Sequence, residues 1–395
     1  MNDPRKNRFQ EATRAAAVQS PVIPIVGEWT RDNPGTISLG QGVVSWGPPE
    51  SAYEGIDRFR EDVENHKYKL AQGIPPLLDL IGEKLKVENG IELDPKDRVF
   101  VTAGANMAFI NAVLAIADVG DEIILPAPFY FNHEMAVTML GCSPVVAPTD
   151  KNHQLDLYAL RSAITKRSRA IVTISPNNPS GVVYPKKDLQ AVTALCREFG
   201  LFHISDEAYE YFTFDGASHF SPGSAKDVDE HVISLFSLSK AYGFASWRIG
   251  YMVTPPQLID AVKKIQDTNL ICPPVVSQFA ALEAIRTGRA YCEEKLTEIQ
   301  DVRNLVIERL VEWEKFSTTA SAKGAFYFLL KIKTDLDSLS VTQRLIEEYK
   351  VAVIPGSAFG LTENCFLRIA YGVLDRSTCE EALDRLEKGL VAITS

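Results

Sequence analysis

Residues 235–251 read LFSLSKAYGFASWRIGY and join an apolar, strand-like run to a group of polar side chains. Ser237, Ser239 and Lys240 end the run, and Arg248 follows eight residues after the lysine. Removing an ammonium group from water is costly, so a lysine placed directly behind a buried strand needs a reason. Two interpretations are open: a surface turn with capping serines, or a site where Lys240 does covalent chemistry beside a bound anion.

The sequence on both sides of this stretch alternates short apolar runs with helical patterns. Strand-like runs occupy residues 98–104, 121–128, 169–181, 201–209, 231–237 and 247–255. Apolar strands separated by helices of roughly 10–15 residues are typical of a mostly parallel sheet covered on both faces. We therefore predict the α/β class, with a large domain built on such a sheet.

The pattern changes after about residue 285. A long charged helical segment spans residues 289–316, and the strand-like segments GAFYFLLKI, YKVAVIPG and CFLRIAYG follow it. This mixture predicts a smaller α+β domain. We expect the large domain to span residues 50–285, and the small domain to combine residues 1–49 with residues 286–395.

Composition excludes several classes of protein. The 395 residues are 46% hydrophobic and 23% charged, with a formal net charge of −10, which argues against binding nucleic acid or an anionic membrane. The six cysteines are scattered, without metal-ligand spacing, and predict reduced thiols and no metal site. No signal-peptide pattern and no apolar run of about 18 residues is present, so we expect a soluble, cytoplasmic protein.

Polar or aromatic residues follow one predicted strand after another. In open α/β sheets, ligands bind beyond the carboxyl ends of the strands, so these residues are expected to meet in one crevice. They are Gly104, Ala105 and Asn106, then Phe129 and Tyr130, Asn177 and Asn178, Asp206 with Tyr209, and finally Ser237, Ser239 and Lys240.

Each of these groups also has a plain structural explanation. The serines could cap a helix, Arg248 could form a surface ion pair, and Asp206 could be the N-cap of a following helix. Asn178 could belong to an ordinary Asn-Pro-Ser-Gly turn, and Tyr130 could simply pack. Together, however, the groups suit one ligand: a phosphorylated aromatic ring with a basic nitrogen, a phenolic oxygen and an aldehyde. That ligand is pyridoxal phosphate.

The sequence resembles the class I/II aminotransferases, the fold-type-I pyridoxal phosphate enzymes, along nearly its full length. The matching motifs, in the family's order, are YKLAQGIPPL (68–77), TAGANMAF (102–109), PAPFY (126–130), SPNNPSG (175–181), SDEAY (205–209), SLSKAYGFASWRIGY (237–251) and FLRIAYG (366–372). The resemblance implies ping-pong transamination between an amino acid and a 2-oxo acid.

The resemblance also implies a role for each candidate residue. Lys240 would carry the cofactor as a Schiff base and move the substrate α-proton, and Asp206 would pair with the pyridine nitrogen. Asn178 and Tyr209 would bind the ring oxygen, while Tyr130 would stack on the ring. The phosphate would be held by Ser237, Ser239, Arg248 and the amides of Ala105 and Asn106.

Three further residues complete the implied site. Tyr68 would reach the phosphate of the neighbouring subunit, which implies a homodimer with composite sites. Arg368 would bind the substrate α-carboxylate through a bidentate pair. Gly40 lies in SLGQGVV (38–44), which resembles the entry loop of kynurenine and glutamine transaminases. We expect Gly40 and Asn178 to contact the substrate as well.

Substrate preference is the more open part of the prediction. Some prokaryotic aspartate aminotransferases carry a lysine where this chain has Asn106, so an acidic side chain lacks that cationic partner here. We expect a neutral or aromatic amino donor, with 2-oxoglutarate or pyruvate as acceptor. Aspartate transamination and a carbon–sulfur β-lyase activity remain alternatives. A cofactor-sensing regulator is a third, although about 50 residues before the core leave no room for a DNA-binding domain.

Overall fold

The computed structural model describes residues 11–20 and 22–394. Its strands are β1 Ile37–Ser38, β2 Val99–Thr102, β3 Glu122–Ala127, β4 Ser143–Pro148, β5 Ser168–Ile174, β6 Phe202–Asp206, β7 Val232–Ser237, β8 Gly250–Val253, β9 Ser317–Thr319, β10 Tyr327–Ile332, β11 Val351–Ala352, β12 Ile354–Pro355 and β13 Phe366–Ala370. Every strand-like run predicted from the sequence overlaps one or more of these strands.

The helices fill the intervals between the strands. They are α1 Thr13–Ala16, α2 Val22–Asp32, α3 Glu50–Arg60, α4 Pro75–Lys84, α5 Pro95–Arg98, α6 Gly104–Ile116, α7 Phe131–Met139, α8 Leu157–Ala163, α9 Lys186–Phe199, α10 Ile259–Leu270, α11 Val275–Arg286, α12 Gly288–Glu312, α13 Ser338–Tyr349 and α14 Arg376–Thr394. None of the described helices is long and apolar enough to cross a membrane.

The central sheet has the strand order β2-β8-β7-β6-β5-β3-β4. Its strands run parallel, except for β8, which is antiparallel to both β2 and β7. Alternate residues of β3 face opposite sides: Ile123 and Leu125 pack in one apolar cluster, and Ile124 packs in another. Because both faces are covered in this way, the strands read as continuous apolar runs rather than as alternating ones.

The chain also forms a smaller antiparallel sheet in the order β12-β13-β10-β9, which contacts α12 and α13, and α14 packs on both of these helices. The N-terminal segment joins this region through β1, which pairs in parallel with β11. The predicted α/β class, with a mostly parallel large sheet and a smaller α+β part, is confirmed.

The predicted domain boundaries fall at residues where elements begin or end. Residue 50 starts α3, residue 286 ends α11, and these two helices pack against each other. The division into residues 1–49, 50–285 and 286–395 stays a prediction, and residues 1–10 of its first segment lie outside the described residues.

Candidate active site

A cavity of about 640 Å³ lies where the carboxyl ends of the central strands meet the smaller sheet. The polar residues predicted at the strand ends line it: Ala105, Asn106, Tyr130, Asn178, Asp206, Tyr209, Ser237, Ser239 and Lys240. Arg248, Arg368 and Gly40 line it too. The strand-end rule therefore brings together side chains that lie far apart in the sequence.

Lys240 lies in the turn after β7, and its Nζ donates a hydrogen bond to the carbonyl oxygen of Gly42 at 2.6 Å. No acidic side chain forms an ion pair with it in the described part of the chain. Burial, together with the positive charges of Arg368 and Arg248, lowers the pKa of Lys240 to about 8, against an opposing effect of Asp206. A substantial fraction of this amine is therefore neutral near physiological pH, as a nucleophile and base requires.

Asp206 ends β6 and is 5% exposed. Its Oδ1 accepts the backbone N–H of Ala208 at 3.0 Å, and its Oδ2 lies 3.1 Å from Nε2 of His133. No helix follows it, so the N-cap explanation does not apply; the carboxylate instead closes a turn. A carboxylate held by donors on one side and open to a cavity on the other can pair with a cationic ring nitrogen.

His133 was not singled out by the sequence. It lies on α7, stacked on Phe109 with the ring centroids 4.0 Å apart, and its Nδ1 is buried without a partner among the described residues. The sequence does contain one indication that His133 belongs to the site. It lies three residues after Tyr130, and residues at that spacing share one face of a helix.

Asn178 and Tyr209 meet at the wall of the cavity, with Asn178 Nδ2 3.4 Å from the Tyr209 hydroxyl. That hydroxyl also shares a 2.8 Å hydrogen bond with the hydroxyl of Tyr327, which the sequence analysis missed. Burial raises the pKa of Tyr209 well above its ordinary value, so the phenol stays protonated and can donate. An amide and a phenol that converge in this way suit an anionic ring oxygen.

The end of β7 and the start of α6 form a corner whose groups suit an anion. Ser237 Oγ accepts the backbone N–H of Ser239 at 3.1 Å, so this serine does stabilise the turn, yet it also lines the cavity. The guanidinium of Arg248 lies against Gly104, where any Cβ would collide with it, and donates to the Ala245 carbonyl at 2.8 Å. Free N–H groups at a helix start, hydroxyls and a guanidinium together favour a phosphate.

Arg368 on β13 is 2% exposed and lies opposite this corner on the smaller sheet. It donates to Asn178 Oδ1 at 2.9 Å and to the Gly40 carbonyl at 2.6 Å, and it lies 4.6 Å from the ring centroid of Tyr327. Its Nε has no partner, and no carboxylate in the described residues pairs with it. A buried guanidinium with only neutral partners is a site for an incoming carboxylate.

Tyr68 lies outside the cavity, whereas Tyr130 lies at its wall. Tyr68 is 78% exposed and does not line this cavity. Tyr130 lines it, with burial and the charge of Asp206 raising its pKa, while Asn132 donates to its hydroxyl at 2.8 Å. Across the described residues, no group of histidine, cysteine, aspartate and glutamate side chains could hold a metal ion.

Comparison with known proteins assigns the family. A family model described as aminotransferase class I and II matches residues 34–386. The chain is 35% identical to aromatic-amino-acid aminotransferase 2 of Thermococcus litoralis, over 90% of this chain and 92% of that protein. It is 36% identical to an aspartate aminotransferase of Pyrococcus abyssi, over 90% and 91%.

A solved structure agrees with the sequence relatives. The aspartate aminotransferase of Thermus thermophilus, as a single mutant, superposes with a TM-score of 0.88 at 30% identity, covering 96% of this chain and 99% of that one. The chain belongs to the class I and II aminotransferases, and it is an aminotransferase.

Proposed function

We propose that the chain uses pyridoxal phosphate in this cavity to move an amino group between a neutral or aromatic L-amino acid and a 2-oxo acid. The observation that carries the proposal is the placement in one cavity of two cations without acidic partners, the half-buried Lys240 and the buried Arg368. Lys240 suits an aldehyde, and Arg368 suits the α-carboxylate of an amino acid.

The residues present fit the cofactor. Ser237, Ser239, Arg248 and the first amides of α6 would hold its phosphate, and Gly104 leaves the room that the guanidinium needs. Asp206 would hold the ring nitrogen protonated, and Asn178 with Tyr209 would bind the ring oxygen. When bound, pyridoxal phosphate supplies a carbonyl carbon for amine exchange and a ring that withdraws the electron pair released at the substrate α-carbon.

The protein's own residues then orient the substrate and move its protons. Arg368 fixes the α-carboxylate, which turns the α-hydrogen toward Lys240. The neutral Nζ of Lys240 takes that proton and returns it at the neighbouring carbon, which requires the lowered pKa. Tyr209 stays a donor throughout because its pKa is raised.

Apolar side chains support the assignment of donor class. Ile23, Val26, Val43, Phe131 and Ile354 also line the cavity and offer apolar contacts to a substrate side chain. Relatives bear both aromatic and aspartate aminotransferase names, so acidic donors are the second candidate. Neutral donors are favoured because this chain has Asn106, an uncharged residue, where some aspartate aminotransferases carry a lysine.

The homodimer is also a proposal. Tyr68 is exposed beside other exposed apolar side chains, including Val63 at 72% and Leu70 at 59%, which a second copy could cover while Tyr68 reaches its phosphate. Light scattering of the holoenzyme should give twice the mass of the 43.7 kDa chain, and a monomer would contradict it. The cytoplasmic location stays a prediction.

The decisive experiment is Lys240→Ala. Borohydride reduction followed by peptide mass spectrometry should find the cofactor attached to Lys240 in the native protein and unattached in the variant, with turnover reduced by roughly 10⁴-fold or more. The control is Lys187→Ala, an exposed lysine on α9 outside the cavity. Retention of multiple turnover by the Lys240 variant, or failure of the native protein to take up pyridoxal phosphate, would refute the proposal.

A further inference from the structure

Tyr327 is a buried residue of the cavity to which the proposed chemistry gives no role. It lies on β10 of the smaller sheet, is 0% exposed and lines the cavity. Its hydroxyl shares a 2.8 Å hydrogen bond with that of Tyr209, and its ring centroid lies 4.6 Å from the guanidinium carbon of Arg368. One side chain therefore contacts a group proposed to bind the cofactor and a group proposed to bind the substrate.

The orientation of Asn178 makes the Tyr209 oxygen an acceptor. Arg368 donates to Oδ1 of Asn178 at 2.9 Å, so Nδ2 is the amide atom that faces the Tyr209 hydroxyl, 3.4 Å away. An amide N–H can only donate, so the Tyr209 oxygen accepts on this side. A phenol oxygen has two lone pairs and one hydrogen, which leaves one lone pair and the hydrogen for other partners.

The hydroxyl of Tyr327 has one hydrogen-bond partner within the described residues, the hydroxyl of Tyr209. Because Tyr327 is completely buried, a hydroxyl hydrogen without an acceptor there would carry the full cost of its desolvation. Tyr209 is 5% exposed and lines the cavity, so its own hydrogen has space for an acceptor on a ligand. These contacts favour Tyr327 as the donor and Tyr209 as the acceptor of the pair.

Gly42 and Arg368 hold Tyr327 in this position. A Cβ added to Gly42 would lie 2.7 Å from the Tyr327 hydroxyl oxygen, so a larger residue there would displace the hydroxyl. The guanidinium of Arg368 lies over the Tyr327 ring in a favourable cation–π contact. Burial raises the pKa of Tyr327 to about 12, against the positive charge of Arg368, so its phenol stays protonated and can donate at physiological pH.

We infer that Tyr327 is a positioning residue, which donates its hydroxyl hydrogen to the Tyr209 oxygen and thereby directs the Tyr209 hydrogen to the ring oxygen of the cofactor. This inference rests on the proposed function, since the ring oxygen belongs to pyridoxal phosphate. Hydrogen bonds in such a chain polarise one another, so Tyr209 becomes a stronger donor to an anionic oxygen.

A purely structural role of Tyr327 makes a different prediction. Its ring also packs against the rings of Tyr209 and Phe326, with centroids 5.6 and 4.6 Å apart, and it supports the guanidinium of Arg368. Tyr327→Phe keeps an aromatic ring for these contacts and removes only the hydroxyl. If the ring alone mattered, the variant would hold the cofactor as the native protein does.

The experiment follows the absorbance of bound pyridoxal phosphate across pH 5–10 in the resting holoenzyme, without turnover. A donor to the ring oxygen favours its deprotonated form, so Tyr327→Phe should raise the midpoint of this titration by roughly half a pH unit. Tyr209→Phe should raise it further. The matched control is Tyr371→Phe, a buried tyrosine outside the cavity whose hydroxyl donates to the Ala325 carbonyl at 3.2 Å, and its midpoint should equal the native one.

The double variant separates an effect through Tyr209 from a direct effect of Tyr327. In the Tyr209→Phe background, Tyr327→Phe should add nothing to the shift. Equal midpoints in the native protein and Tyr327→Phe, or shifts that simply add in the double variant, would overturn the assignment while leaving the aminotransferase proposal standing. A native protein that took up no pyridoxal phosphate would instead refute the proposed function, and the cofactor role of Tyr327 with it.

Discussion

The two sides of the cavity differ in how they are built. The side formed by the central sheet is polar and contiguous: Asp206 and Ser237 end neighbouring parallel strands, and Lys240 follows in the next turn. The opposite side is assembled from α2, the loop around Gly40 and the strands of the smaller sheet, and much of it is apolar. The first side suits the cofactor, and the second suits the substrate.

This difference determines what each side can control. Groups on the cofactor side would act on the reacting carbon whatever the substrate, so their loss should lower every rate together. Groups on the substrate side would act on parts of the substrate that differ between amino acids, or on the carboxylate they share. Variants of the two sides should therefore separate into losses of kcat and losses of affinity or selectivity.

Asp206→Asn tests the cofactor side. The amide keeps the size of the side chain but removes the charge that would keep the ring nitrogen protonated, so kcat should fall by roughly 10²–10³-fold for all donors alike. Single-turnover spectroscopy with several amino acids measures this. Asp206→Glu, which keeps the charge, is the matched variant and should lose less. A loss confined to one class of donor would contradict the division between the two sides.

The sequence predicted these two sides unequally, for a physical reason. Each cofactor-side residue follows its own strand within a short motif, so the strand-end rule alone brought Asn178, Asp206 and Lys240 together before the fold was known. The rule did not identify His133 and Tyr327, because their place in the site depends on contacts between separate elements that no local pattern encodes. His133 lies 3.1 Å from Asp206, and the Tyr327 hydroxyl lies 2.8 Å from that of Tyr209.

The residues of the substrate side were harder to predict from the sequence. Ile23 and Val26 of α2 lie more than 200 residues from Lys240 along the chain, and their helix has the pattern of an ordinary amphipathic segment. The pairing of β1 with β11 and the packing of α2 on α13 bring them to the cavity. Arg368 was found through a motif of the family resemblance rather than from periodicity, since an arginine in an apolar strand has no distinctive spacing.

Arg368→Gln tests the substrate side. Removing a buried charge that would pair with the α-carboxylate should lower kcat/KM about 100-fold for every amino acid, mainly by raising KM. Arg368→Lys should recover only part of this loss because an ammonium lacks the planar fork. Binding of pyridoxal phosphate, followed by its absorbance, should persist in both variants. Loss of cofactor binding would contradict the assignment of Arg368 to the substrate side.

The two sides are nevertheless coupled through Lys240. The pKa of its amine is lowered to about 8, first by burial and then by the positive charge of Arg368, and Asp206 acts in the opposite direction. At pH 7.5 a pKa near 8 leaves about a quarter of the amine neutral, against about 0.1% for an ordinary lysine. Arg368, on the proposed substrate side, thus lowers the pKa of the amine that would act as nucleophile on the cofactor side.

The smallest predicted effect follows from this coupling. The rate at which apoprotein takes up pyridoxal phosphate covalently should rise about tenfold per pH unit below pH 8 and level off above it, because the neutral amine is the reactive form. Arg368→Gln removes a positive charge, so the midpoint should move to higher pH by a fraction of a unit, whereas Asp206→Asn should move it lower. Stopped-flow absorbance across pH 6–10 measures both shifts. Equal midpoints in all three proteins would mean that burial alone sets the pKa of Lys240, and that the two sides act independently.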